Sequence, residues 1–212
     1  MLVLGIETSA RPGSVALCRN HTPVAERPLD RDGLRHAQAL PVEVEAILAD
    51  CGLNARDIQL IAISHGPGSF TGLRVGMAFA KTLAWSLDCP MVAVDTFAAV
   101  ATDLDDLQPI TAGTAWIISD AQRQQWFARR YRKTDDGDWT PTTDHAIVSP
   151  ETLANPGMPV LDGTSRNLPR AATIARLGRV MLDAGHSADL RTATPLYLRP
   201  SAAEEAAGRI AD

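Results

Sequence analysis

His65-Gly66-Pro67-Gly68-Ser69-Phe70-Thr71-Gly72-Leu73-Arg74-Val75-Gly76 joins two apolar segments of different period. Before it, Leu60 to Ser64 is a short continuous apolar run and reads as a buried strand. After it, Leu73, Met77, Ala80, Leu83 and Leu87 recur at helical spacing, which predicts a helix from about Leu73 to Leu87. A glycine-rich turn between strand and helix can aim backbone N–H groups at an anion, aided by the helix N-terminus. The same turn also serves as a purely structural bend in many α/β proteins. It is not a Walker A loop, because no Gly-Lys-Ser/Thr closes it, and Phe70-Thr71 after Ser69 break G-x-S-x-G. Gly72, Gly76 and Ala80 form a row of small side chains that lets another helix or strand come close.

Upstream, the apolar runs Leu2 to Ile6 and Ser14 to Cys18 flank Pro12-Gly13 and predict a hairpin, with a third strand around Val24 to Leu29. Leu34 to Asp50 has helical spacing with Pro41 inside it. Its residues Leu40, Val44, Ile47 and Leu48 should face a sheet, while Ala39, Val42, Ala46 and Ala49 form a second stripe of mostly small residues. Asn54 and Asp57 suit the start of a short helix. Downstream, Met91 to Val94 reads as a strand and Thr96 to Leu107 as a helix. Ala115 to Ser119, Gln125 to Arg132 and Met158 to Leu161 then read as strands, and Ala171 to Ala184 as a helix. The order predicts two α/β halves: residues 1–104, residues 105–200, and a frayed Ala- and Glu-rich tail, 201–212.

The chain has 212 residues, 45% of them hydrophobic and 21% charged, enough for two modest domains. A net charge of −5 argues against a chain that binds nucleic acid alone through a broad basic face, although nucleic-acid contact shared with a basic partner is compatible with it. The densest basic cluster is Arg129, Arg130, Arg132 and Lys133, with Arg130 and Arg132 on one strand face. It reads as a solvated face, as partners for acids such as Asp135 and Asp136, or as a phosphate contact. Cys18, Cys51 and Cys89 are widely spaced and form no CxxC pair, so free thiols in a reducing cytoplasm are expected. The N-terminus has no basic lead, and no apolar stretch reaches the ~20 residues of a membrane span.

Gly66 to Gly76 resembles the GPGSFTGLRVG signature of the TsaB (YeaZ) family without a break. Further pieces follow in family order. They are Leu-Gly-Ile-Glu7-Thr8-Ser9 with Ser14-Val-Ala-Leu, His36 with Leu40-Pro41, Ser119-Asp120-Ala121, and Thr194-Pro195-Leu196-Tyr197-Leu198-Arg199. The resemblance implies a two-lobed actin-like, sugar-kinase-like ATPase (ASKHA) fold around a degenerate cleft. It further implies a non-catalytic partner of the catalytic subunit TsaD, joined by the ATPase TsaE. That assembly uses ATP and transfers a threonylcarbamoyl group to the adenosine beside the anticodon of ANN-decoding tRNAs, so tRNA is met through the complex. The stripe Ala39, Val42, Ala46 and Ala49, and the row Gly72, Gly76 and Ala80, are the candidate faces for TsaD or for a second copy.

A vestigial nucleotide site would comprise Glu7, Thr8 and Ser9, which could hold hydrated magnesium and a phosphate oxygen, together with Gly66, Gly68, Ser69 and Asp120. Thr8 and Ser9 could equally satisfy turn backbone groups. TsaD carries an His-x-x-x-His metal pair; here Leu40 stands four residues after His36, so no metal and no firmly bound cofactor are expected. Asp120-Ala121-Gln122 departs from the family's Asp-Ala-Arg, and Gln124-Gln125-Trp126-Phe127 from its Gly-Glu-Val-Tyr. The competing class is an enzyme acting alone, either an ATPase of this fold or a peptidase using His65 and Ser69. The peptidase version lacks an acid placed to orient the imidazole.

Overall fold

The computed structural model describes residues 1–29, 36–107, 113–154, 157–163 and 168–199. The expected tail 201–212 and the expected helix start at Leu34 lie outside them. The chain opens with three strands, β1 (Leu2–Glu7), β2 (Ser14–Arg19) and β3 (Thr22–Pro28), followed by helix α1 (His36–Asp50). A 3-10 turn (Ala55–Asp57), strand β4 (Leu60–Gly66), helix α2 (Phe70–Leu87), strand β5 (Met91–Asp95) and helix α3 (Thr96–Leu107) complete the first half. The first sheet runs β3-β2-β1-β4-β5: an antiparallel meander continued by two parallel strands. This order, with the crossovers through α1 and α2, is that of the actin-like ATPase fold.

β1 and β4 are buried along nearly their whole length because the sheet is covered on both faces. One face carries Leu4, Ile6, Val15, Leu17, Ile61 and Ile63, which pack with Leu40, Ile47 and Met77 of α1 and α2. On the other, Val3, Ala16, Leu60, Ala62, Val92 and Val94 meet Ala171, Ile174 and Ala175 of helix α5 (Ala171–Asp183). The second sheet is built from β6 (Thr114–Asp120), β7 (Trp126–Lys133), β8 (Trp139–Pro141), β9 (Ala146–Val148) and β10 (Val160–Asp162). Its order is β10-β6-β7-β8, and β9 pairs with the other end of β7, so β8 and β9 share one edge. Between β9 and β10 lies the short helix α4 (Pro150–Ala154). β8, β9 and α4 are too short to leave a periodic signal in the sequence.

The expected division at residues 104 and 105 needs correction. Helix α5 follows the second sheet in the chain but forms the third layer of the first half, its small residues lying flat on β1, β2 and β4. After it, residues 188–197 stay with the first half: the Ala188 amide donates to Met91 O (2.8 Å) and the Leu196 amide to His65 O (2.9 Å). The second lobe is therefore an insertion centred on residues 114–162, joined to α3 by Phe97, Val100, Leu104, Ile117 and Tyr131. Among the described residues, no helix is long and apolar enough to cross a membrane.

Candidate functional site

β1 and β4 are parallel neighbours, so their C-terminal ends, Glu7 and His65-Gly66, come out side by side at one edge of the sheet. In open α/β sheets this edge is where ligands bind. Here it is filled by the chain itself. Glu7 is fully buried, and its Oε1 accepts from the Ser9 amide, the Ser9 hydroxyl and the Ala10 amide. The Thr8 amide donates to Ser64 Oγ (3.2 Å). Burial pushes the Glu7 carboxyl up to about 7, against the lowering effect of the bonds from Ser9 and Ala10. Glu7 Oε2 and Thr8 Oγ1 are buried and have no hydrogen-bond partner among the described residues.

The glycine-rich run closes over this turn. The Ser69 amide donates to Ser9 O (2.7 Å), and Ser69 Oγ caps α2 by accepting from the Gly72 amide (3.2 Å). The Gly66 amide donates to Thr96 Oγ1 (3.0 Å). A Cβ on Gly72 would stand 2.0 Å from Thr8 O, and one on Gly76 2.1 Å from Thr8 Oγ1. These glycines exist so that α2 can lie against the turn. Gly72→Ala and Gly76→Ala are each expected to cost about 1–3 kcal/mol through overpacking. Urea midpoints unchanged from wild type would contradict this packing.

A nucleotide phosphate does not fit these residues as they stand. The amides of Ser9 and Ala10 point at Glu7 and the Thr8 amide at Ser64, while Gly66, Ser69 and Gly72 give theirs to protein oxygens. Gly68 adds to the seal, since a Cβ there would lie 2.4 Å from Ser9 O. Asp120 is exposed at the end of β6, where its Oδ1 accepts from the Gln122 amide (2.7 Å). Among the described residues no three His, Cys, Asp or Glu side chains gather as a metal site. No His65–Ser69 dyad forms: Nε2 of His65 bonds to Thr194 O (3.0 Å), and Ser69 Oγ is occupied as the helix cap.

The family model described as TsaD, tRNA N6-adenosine threonylcarbamoyltransferase, matches residues 33–194. The chain belongs to this family, among its TsaB (YeaZ) members. It is 36% identical over 132 residues to the tRNA threonylcarbamoyladenosine biosynthesis protein TsaB of Bacillus subtilis, covering 62% of this chain and 56% of that one. With the TsaB of Escherichia coli it shares 31% over 151 residues, covering 71% and 64%. The chain thus spans somewhat over half the length of these relatives. The solved structure of YeaZ from Pseudomonas aeruginosa has the same fold, with a TM-score of 0.78 and 24% identity over 93% of this chain and 99% of that one.

The turn that follows β6 has an uncommon backbone. Gln122, Arg123 and Gln124 all have positive φ (61°, 54° and 59°), a left-handed turn of non-glycine residues. Arg199 from the closing Tyr-Leu-Arg donates to Ala121 O (3.0 Å) and to Gln125 Oε1, tying the chain's end to that turn. The same closing segment stacks Tyr197 on Phe70 (4.8 Å), with Arg74 over the Phe70 ring (4.5 Å) and donating to Tyr197 Oη (3.2 Å). Gly66 has a φ of 114°, and a Cβ there would meet Leu196 O at 2.8 Å. The signature run is thus held between Glu7–Ser9 on one side and residues 194–199 on the other.

Of the expected partner face on α1, Val42 is 46% exposed, Ala49 is exposed and Ala46 is half-buried. Ala39 is instead part of the core, turned inward with Leu40. Gly72, Gly76 and Ala80 are likewise interior, so the small-residue row serves contacts within the chain. Sequence reasoning missed Trp85, 78% exposed near the end of α2. It also missed a cluster at the junction of the two sheets. Asp95 Oδ2 pairs with Arg129 and with His145 Nε2 (3.1 Å), while its Oδ1 accepts from the Phe97 amide (2.7 Å) at the start of α3. Burial works to raise the Asp95 carboxyl, but the bond and charge of His145, with the charge of Arg129, hold it below the usual carboxylate range. An Asp directly before a helix was the available signal; its partners, 34 residues or more away, left none.

Proposed function

We propose that the chain is a non-catalytic partner subunit in the formation of N6-threonylcarbamoyladenosine on tRNA, pairing with a TsaD-type catalytic subunit. The observation that carries this reading is the closed turn: the residues that would hold phosphates in an ATPase of this fold bind each other. A chain whose own cleft is sealed contributes to the reaction by what it binds. A partner that engages one conformation of the catalytic subunit shifts that subunit's population toward it. TsaE joins the assembly and ATP is consumed there, and tRNA is reached through the complex.

The surface offered to the partner lies on the neighbouring helices α1 and α2. Val42 and Ala49 on one and Trp85 on the other are apolar and exposed, and an exposed tryptophan is a frequent anchor of protein interfaces. Val42→Glu and Trp85→Glu are expected to leave the fold intact and to weaken pairing at least about 100-fold, since a carboxylate in a dry interface lacks a partner. Co-purification with the TsaD-type subunit, scored beside circular dichroism, tests the face. Nucleoside analysis of tRNA from cells lacking the chain tests the function. Unmodified pairing by both variants would move the interface elsewhere, and unchanged threonylcarbamoyladenosine content would overturn the function. ATP turnover by the purified chain alone would instead favour an enzyme acting on its own.

A further inference from the structure

The four-residue basic cluster on β7 divides in two. Arg129 and Lys133 point toward the first lobe and are neutralised there, by Asp95 and by Asp105 (2.7 Å). Arg130 and Arg132, on the opposite face of the strand, pair with no carboxylate among the described residues. Other arginines of this acidic chain do find one: Arg27 with Glu43 and Asp50, Arg170 with Asp103, Arg176 with Asp106, Arg179 with Asp183. Two uncompensated cations at i and i+2 repel each other, and an anion between them would remove that repulsion.

The register places an aromatic beside them. Trp116 of β6 is directly opposite Arg130, whose guanidinium lies over the indole at 4.9 Å. This contact fixes the guanidinium plane, and Arg130 Nε is buried without a hydrogen-bond partner. Arg132 is exposed, with Thr114 opposite on one side and Thr140 on the other. Trp126 is on the same face of β7, about 13 Å along the strand at ~3.3 Å per residue. The acids Asp135, Asp136 and Asp138 beyond Lys133 bound the patch, so it suits a short single strand rather than a long duplex.

We propose that the end of this sheet face formed by Trp116, Arg130 and the exposed Arg132 binds single-stranded RNA. A base stacks on the fixed Arg130–Trp116 pair, and phosphates lie on the two guanidinium groups. The choice of RNA over DNA rests on the function proposed above; the cations and the stacked pair stand without it.

The test uses the full chain and a fluorescein-labelled RNA stem-loop with an unpaired loop, followed by anisotropy over a range of salt. Arg132→Ala, at an exposed position, should keep the fold. It should weaken binding about tenfold at low salt and reduce the salt slope by about 0.7, the value for one phosphate contact on a single strand. Arg130→Lys keeps the charge and loses the plane, so it should weaken binding about tenfold while leaving the salt slope near wild type. Wild-type chain that fails to bind, or both variants binding as wild type does, overturns the proposal. Equal binding of the matching DNA hairpin overturns the choice of RNA. Because no catalytic subunit is present, these outcomes are independent of the pairing and nucleoside measurements that test the proposed function.

Discussion

Glu7→Gln is expected to stabilise the protein by about 3 kcal/mol at about pH 8 and to leave stability near pH 4 almost unchanged. The buried carboxyl is raised from the ordinary 4.5 to about 7 by loss of water. Below 4.5 it is protonated in both folded and unfolded chains and has no effect on their balance. Between 4.5 and about 7 the unfolded chain gives up the proton while the folded chain keeps it, so stability falls as pH rises. Above 7 both are ionised and the full penalty remains. Glutamine keeps an acceptor oxygen for the Ser9 and Ala10 donors and places a neutral amide where Oε2 already lacks a partner. Urea denaturation of both proteins across this range measures the difference, which isolates Glu7 from other titrating groups. A difference that does not grow with pH would mean that Glu7 is not held dry. The same result bears on function, because a carboxyl that resists ionisation at neutral pH is a poor ligand for magnesium.

The first sheet was legible because its strands are short apolar runs bounded by Pro12-Gly13, Gly52 and the glycine-rich signature, and because α2 carries a clear stripe. The spacing of α1 separated Leu40, Val44, Ile47 and Leu48, which are buried, from Val42 and Ala49, which are not. It misplaced Ala39, since a small residue has too little apolar surface to declare its side. Gly72 and Gly76 misled for a related reason. Small residues announce close approach, but the approaching group is Thr8, more than sixty residues earlier, and sequence spacing cannot name it. The return of α5 to the first sheet was invisible because its buried face is mostly small, with Ala171, Ala172, Ala175 and Gly178 beside Ile174, and matches either lobe.

That return depends on polar contacts as well as packing, and Asp103→Ala should show it with a loss of about 3 kcal/mol, or roughly 6–12 °C in Tm. Asp103, on α3, is fully buried. It accepts from Thr173 Oγ1 (2.6 Å), from Arg170 Nε (2.9 Å) and from the Arg170 amide (2.7 Å), and Arg170 Nη2 approaches at 2.8 Å. Every one of these donors belongs to the first turn of α5 or the residue before it, where helix amides lack partners of their own. The acid therefore sets the point at which the chain leaves the second lobe and lies down on the first sheet. The Arg170 guanidinium, partly exposed, can recover water after the substitution; the buried Thr173 hydroxyl cannot, and the loss of its acceptor and of the acceptor for the Arg170 amide makes up most of the cost. Asp103→Asn should lose nearly as much, because a carboxamide turns a donor toward a set of donors. Thermal melts of the two variants decide the matter. If asparagine restores wild-type stability, shape rather than acceptor capacity holds α5; if alanine costs less than about 1 kcal/mol, apolar packing alone anchors the helix.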